Sequence, residues 1–174
     1  MSGNYTERTA YTESKISSMH EPVIRLKGVS KKFGRTTALD HASVDVPPGV
    51  VFALLGENGA GKTTLIRILT GFLRPDSGSA SVLGHSCVAS GQEIRRQIGY
   101  VSDSPALYDW MTPGEIGWFT SAFYSDSFGE RYLELLAAFE VPAETKIKNL
   151  SKGQRAKVAL ALATAHDPQL LILD

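Results

Sequence analysis

Residues 49–69 read GVVFALLGENGAGKTTLIRIL, and the reading of this stretch decides the fold. Val50 to Leu55 is an apolar run too short for a helix and preceded by glycine. Such a run predicts a strand buried on both faces, as in a parallel sheet. It leads into Gly56-Glu57-Asn58-Gly59-Ala60-Gly61-Lys62-Thr63, after which Thr64-Leu65-Ile66 continues as a helix. The expectation is an α/β chain organised around a strand–loop–helix junction.

The loop fits G-x-x-x-x-G-K-[ST], and the chemistry of phosphate binding explains each residue type. Gly56, Gly59 and Gly61 permit backbone angles that turn successive N–H groups inward around an anion. The helix opening at Thr63-Thr64 points its positive end at the same phosphates. Lys62 would reach the β- and γ-phosphates, and the Thr63 hydroxyl would ligate Mg²⁺. A match arises by chance on the order of once in a hundred chains of this length. With a strand before and a helix after, the loop predicts a nucleoside-triphosphate site.

Composition narrows the class. At 174 residues the chain is about one domain long. The 18 basic and 18 acidic residues cancel, so charge gives no sign of a broad nucleic-acid or anionic-membrane surface, and no direct nucleic-acid partner is expected. The single cysteine, Cys87, cannot form an internal disulfide and reads as a buried apolar residue rather than a catalytic thiol. No apolar run is long enough to span a membrane, and the N-terminus lacks a secretory signal, so a cytoplasmic protein is expected. His20, His41, His85 and His166 show no metal-ligand spacing and read as structural or exposed.

Taken in order, residues 1–21 are polar and predict a flexible tail. Val23 to Val29 and Ala42 to Val46 alternate as half-exposed strands, with a turn over Lys31–Gly34 between them. Ser79 to Leu83 alternates again, Gly91 to Gln97 reads as a short helix, and Ile98 to Val101 as a short strand. Thr112-Pro113-Gly114-Glu115 is a capping box with proline at the first helical position. Ile116, Phe119, Ala122 and Phe123 share one helical face, and a second helix is expected over 130–139. Residues from about 103 to 150 thus form a helical subdomain whose aromatics read as core or as a docking surface. Ser151 and Gln154 make a second capping box before an alanine-rich helix, and Leu170 to Asp174 is an apolar strand ending in a carboxylate.

An apolar strand ending in aspartate, downstream of such a loop, is the Walker B arrangement. Between the two lies Leu150-Ser151-Lys152-Gly153-Gln154. It resembles the LSGGQ signature of the ATP-binding cassette (ABC) ATPases. The resemblance covers roughly residues 22–174 and implies a P-loop NTPase fold: an antiparallel β subdomain, a parallel core sheet and a helical subdomain. It also implies the nucleotide-binding subunit of an ABC transporter, hydrolysing ATP with Mg²⁺. Lys62, Asp174 and Asp103 would serve catalysis. Gly56, Glu57, Asn58, Gly59, Ala60, Gly61, Lys62, Thr63 and Thr64 would cradle the phosphates, with Phe33 stacking on the adenine. Thr63, Asp174 and Asp103 would face the metal. Ser151, Gly153 and Gln154 would serve ATP held by a second, head-to-tail subunit, and a membrane permease would dock on the helical subdomain at the cytoplasmic face of the membrane.

Three departures from the family pattern stand out. Lys152 replaces the first signature glycine. Asp103 stands where the family has the glutamine of the Q-loop. The glutamate, the switch histidine and the further strands that follow the Walker B aspartate in the family lie outside these 174 residues, so a fragment of a longer product, weak in hydrolysis by itself, is expected. The loop Ser102 to Asp109 resembles drug- or lipid-exporting members, which makes export the expected direction. The rival readings are an ABC-type nucleotide switch without transport, and a fragment that binds ATP without hydrolysing it.

Overall fold

The computed structural model describes residues 21–124 and 126–174. The expected tail over 1–21 lies outside the described residues apart from Glu21, as does His20. The chain divides into two compact units, one ending at Ile94 and one running over Arg95–Asp174.

The first unit is built on an antiparallel sheet of order β2-β1-β3-β4, comprising β1 (Ile24–Phe33), β2 (Thr36–Val46), β3 (Ser77–Val82) and β4 (His85–Ser86). β1 and β2 form a hairpin that pairs from Ile24↔Val46 to Phe33↔Thr36. Its turn is Gly34-Arg35, and Gly34 supplies the positive φ (57°) that a two-residue turn requires. The expected turn over Lys31–Gly34 is therefore corrected: Lys31 and Lys32 pair with Leu39 and Thr37, and ladder bonds carry polar residues into the strand. A register shift between Leu26 and Val29 explains the broken alternation in β1. Gly28 at φ 58° sits in that irregularity, and one extra residue moves the buried set from Ile24 and Leu26 to Val29.

Helix α1 (Lys62–Leu69) buries Leu65, Ile66, Ile68 and Leu69 and packs on β2 and β3. Helix α2 (Gly91–Gln97) follows and spans the division between the units. Cys87 is buried, its thiol directed at Leu69 O (3.5 Å), and burial pushes its pKa up to about 11. It behaves as the small core residue expected.

Val50 to Leu55 is a second correction. The segment has no regular structure, and Val51 (101%) and Leu55 (88%) are fully open to solvent. A parallel strand exists only through bonds to its neighbours, and among the described residues no strand pairs with this one.

The second unit holds the parallel pair β5 (Ile98–Val101) and β6 (Leu170–Leu173), in register from Ile98↔Leu170 to Val101↔Leu173. Between them come α3 (Pro113–Ser121), α4 (Ser127–Ala138), a 3₁₀ turn (Ile147–Asn149) and α5 (Lys152–Thr164). α4 begins three residues before the expected Glu130 because Phe128 is buried completely. The core comprises Phe128, Tyr132, Leu136, Ile147, Val158 and Ala161, among others. Gly117 makes the α3–α4 contact possible, since a Cβ there would fall 2.1 Å from the Tyr132 ring, whose hydroxyl donates to Pro113 O (2.9 Å). The α3 face that meets the core is thus Pro113, Ile116 and Gly117. Phe119 and Phe123, read as its companions, instead face solvent and touch edge to face at 5.7 Å, with Trp118 exposed beside them. The large apolar residues Ile116, Trp118 and Phe119 of α3 point in different directions round the helix, so its composition does not single out the buried side.

Candidate functional site

In the first unit, the loop from Gly56 to Lys62 is held by its own backbone. Ala60 N donates to Glu57 O (3.1 Å), and Gly59 (φ 86°) and Gly61 (φ 87°) adopt left-handed angles that other residues avoid. Gly61 caps α1, its carbonyl accepting from Leu65 N (2.9 Å). A Cβ at Gly61 would lie 2.2 Å from Ala38 O on β2, so glycine is also what lets the loop lie against the sheet. The Lys62 ammonium donates to Gly56 O (2.6 Å) and Glu57 O (2.8 Å), curling back across the loop. Those two carbonyls occupy the donors that a phosphate would claim. Asn58 lies at the loop crest and Thr63 and Thr64 in the first turn of α1, at the positive end of the helix, which favours an anion.

Phe33 ends β1 half-exposed (50%), with the Lys31 ammonium 5.7 Å from its ring centroid. It falls in the same unit as the loop.

The second unit carries the remaining predicted residues. Asp174 N donates to Val101 O (2.9 Å), so Asp174 continues β6 past the end of β5. Asp103 lies two residues beyond that same end of β5, exposed. The two carboxylates therefore follow the C-terminal ends of adjacent parallel strands, where α/β proteins place their sites. Both offer hard oxygen donors, as does the Thr63 hydroxyl. Oxygen donors of this kind are what Mg²⁺ takes, one or two from protein with the rest from water and phosphate rather than an all-protein cage. No cluster of three or more His, Cys, Asp or Glu able to hold a metal is found among the described residues.

The signature segment starts α5. Ser151 Oγ accepts from Gln154 N (3.2 Å), and Gln154 Oε1 accepts from Ser151 N (2.9 Å), completing the expected capping box. The Ser151 oxygen is thus engaged as an acceptor while its O–H remains able to donate outward. Gly153 is exposed, and a Cβ there would meet only Ser151 Oγ, at 3.9 Å. Glycine is not demanded by the helix; its effect is to leave the helix end open to a visiting group. Lys152 is exposed.

His41 and His166 match the reading of structural or exposed residues. His41 is exposed beside Asp40, and His166 is packed, its Nε2 on Ile98 O (3.1 Å) and its ring stacked on Tyr124 (4.7 Å). Sequence reasoning missed the Lys62–carbonyl contacts and the contact of Lys31 with Phe33. The second was readable, because residues two apart on one strand share a face, once Lys31 is placed in β1 rather than in a turn.

The chain is similar to known proteins. A family model described as ABC transporter matches residues 39–174. The uncharacterized ABC transporter ATP-binding protein YdbJ of Bacillus subtilis is 34% identical over 158 residues, covering 90% of this chain and 51% of YdbJ. The sulfate/thiosulfate import ATP-binding protein CysA of Vibrio vulnificus is 36% identical over 170 residues, covering 87% and 46%. A solved dimer of an ATP-binding cassette in a post-hydrolysis state, bound to ADP and Pi, superposes with a TM-score of 0.74 at 27% identity, covering 87% of this chain and 73% of that one. The chain spans about half the length of the curated relatives it matches.

Proposed function

The chain belongs to the ABC transporter family, and from that premise we propose that it binds ATP with Mg²⁺ and hydrolyses it as the motor subunit of a membrane transporter. The observation that carries this reading is the Gly56–Thr63 loop, in which Gly59 and Gly61 are left-handed and Gly61 caps α1, a backbone suited to cradling phosphates.

In this reading the Lys62 ammonium exchanges Gly56 O and Glu57 O for the β- and γ-phosphates. Phe33 offers its ring to the adenine. Thr63, Asp174 and Asp103 are the oxygen donors that would hold Mg²⁺, which when bound neutralises charge on the phosphates. Ser151, Gly153 and Gln154 present a helix N-terminus to the nucleotide of a second copy or homologous subunit, so that two chains enclose ATP head to tail. The helical segment of about 103–150 receives a membrane permease, which would place the chain at the cytoplasmic face of the membrane; no described helix is itself long and apolar enough to cross it. Export is the direction we assign, from the resemblance of the loop Ser102–Asp109 to drug- or lipid-exporting members.

Retention of radiolabelled ATP by the purified chain, with Mg²⁺ or with a chelator, tests this. Wild type is expected to retain ATP strongly only with Mg²⁺. Lys62→Ala should lose retention and Asp174→Asn should lose the metal dependence; retention indifferent to both variants contradicts the proposal.

A further inference from the structure

Lys31 and Phe33 stand two residues apart on β1 and so share a sheet face. A lysine ammonium is ordinarily mobile, but this one is held. Asp76 Oδ1 accepts from Lys31 Nζ at 2.7 Å, while Oδ2 accepts from Lys32 N at 2.7 Å. Asp76 is itself tied to the strand, its N–H donating to Ser30 O (2.9 Å). The Lys31 side chain is accordingly only 14% exposed although it carries a charge at the sheet surface. The hydrogen bond from Lys31, and then that from Lys32 N, hold the Asp76 carboxyl below its usual range, so the clamp stays ionised at neutral pH.

The result is a half-exposed phenyl ring with a held cation over one face. The cation draws π density toward itself, and the opposite face becomes a better partner for an electron-rich purine. Asp76 also lies just beyond α1. Phe72 N and Leu73 N both donate to Arg67 O near the end of that helix (2.9 and 3.0 Å), so a few residues connect the phosphate helix to the clamp.

We propose that Asp76 and Lys31 are positioning residues for the nucleobase, holding Phe33 between a cation on one face and the purine ring of the bound nucleotide on the other. The inference rests on the reading of Phe33 as the base-stacking residue.

Isothermal titration of the full chain with MgATP and, separately, with inorganic tripolyphosphate plus Mg²⁺ tests it. Phe33→Ala is expected to weaken MgATP by roughly tenfold, the scale of one lost base–aromatic stack. Lys31→Met and Asp76→Asn should weaken it by about three- to fivefold, the scale of an exposed cation–π contact. Lys31→Arg, which keeps a cation over the ring, should restore it. Tripolyphosphate, which has no base, should bind all variants alike, and Lys31→Met should add nothing in a Phe33→Ala background. Equal losses for both ligands, or an unchanged MgATP affinity in Lys31→Met while Phe33→Ala is impaired, overturns the clamp and leaves the stacking role standing. Unchanged affinity in Phe33→Ala overturns both. If Asp76→Asn fails to unfold cooperatively, Lys31→Met and Lys31→Arg decide the matter alone.

Discussion

Ser151 is assigned two duties, capping α5 and receiving a phosphate in trans, and one pair of substitutions separates them. Ser151→Ala removes the acceptor of Gln154 N, now at 3.2 Å. The cap is exposed, so water can replace the lost partner, and the cost should sit near the lower end of the usual range, about 0.5–1 kcal/mol. For a chain of this size that lowers the melting temperature by about 1–4 °C. Ser151→Asp keeps an acceptor for the same N–H and adds a negative charge at the positive helix end, a gain of about 0.3–1 kcal/mol. Its melting temperature should equal or exceed that of wild type. Toward a triphosphate the same charge is repulsive, by about 4 kcal/mol at 4 Å and an effective dielectric constant of about 20, or nearly a thousandfold. The assay is light scattering with and without MgATP, alongside thermal unfolding. Wild type should associate with MgATP, Ser151→Ala weakly, and Ser151→Asp not at all despite undiminished stability. If Ser151→Asp associates like wild type, the phosphate role is refuted; if it melts below Ser151→Ala, the capping geometry is.

Two further outcomes follow from named contacts. Gly61→Ala puts a Cβ 2.2 Å from a backbone oxygen of β2 at φ 87°, and the left-handed penalty plus overpacking should cost about 2–5 kcal/mol; a melting temperature within about 2 °C of wild type would refute the close approach. His166 has a pKa lowered chiefly by burial, with its bond to Ile98 O and then the charge of Asp167 (itself paired with Arg131) opposing the shift. The neutral ring is therefore favoured by folding, so its contribution is intact above the unfolded value of 6.5 and falls as pH drops below it toward the lower folded value. Thermal melts from about pH 7.5 down to about pH 5 should show a decline that His166→Gln flattens, and an equal decline in that variant would count against it.

Local chemistry was legible in the sequence, and pairing was not. Both capping boxes form as the S/T-x-x-E/Q spacing requires, because a cap depends on residues three apart. Gly59 and Gly61 take left-handed angles for the same local reason, while Gly56 does not. Val50 to Leu55 reads as a strand from composition, yet a strand is a relation to neighbours, and none pairs with it among the described residues. The hairpin runs longer than its apolar alternation because ladder bonds recruit Lys31, Lys32 and Thr36. On α3, Phe119 and Phe123 looked equivalent to Ile116, but the Gly117–Tyr132 contact chose the buried side. At the site itself, Asp103 and Asp174 are joined by the register of β5 and β6, which no spacing along the chain discloses.

Thermal unfolding of wild type and Lys62→Ala, each with and without MgATP, tests the phosphate cradle most directly. Ligand at about 100 times its dissociation constant should stabilise the wild type by about 2.7 kcal/mol. In a chain of this length that is a rise of roughly 5–10 °C. Lys62→Ala should show little or no rise. An equal rise in both, or none in a wild type that unfolds cooperatively, would contradict nucleotide binding at Gly56–Thr63.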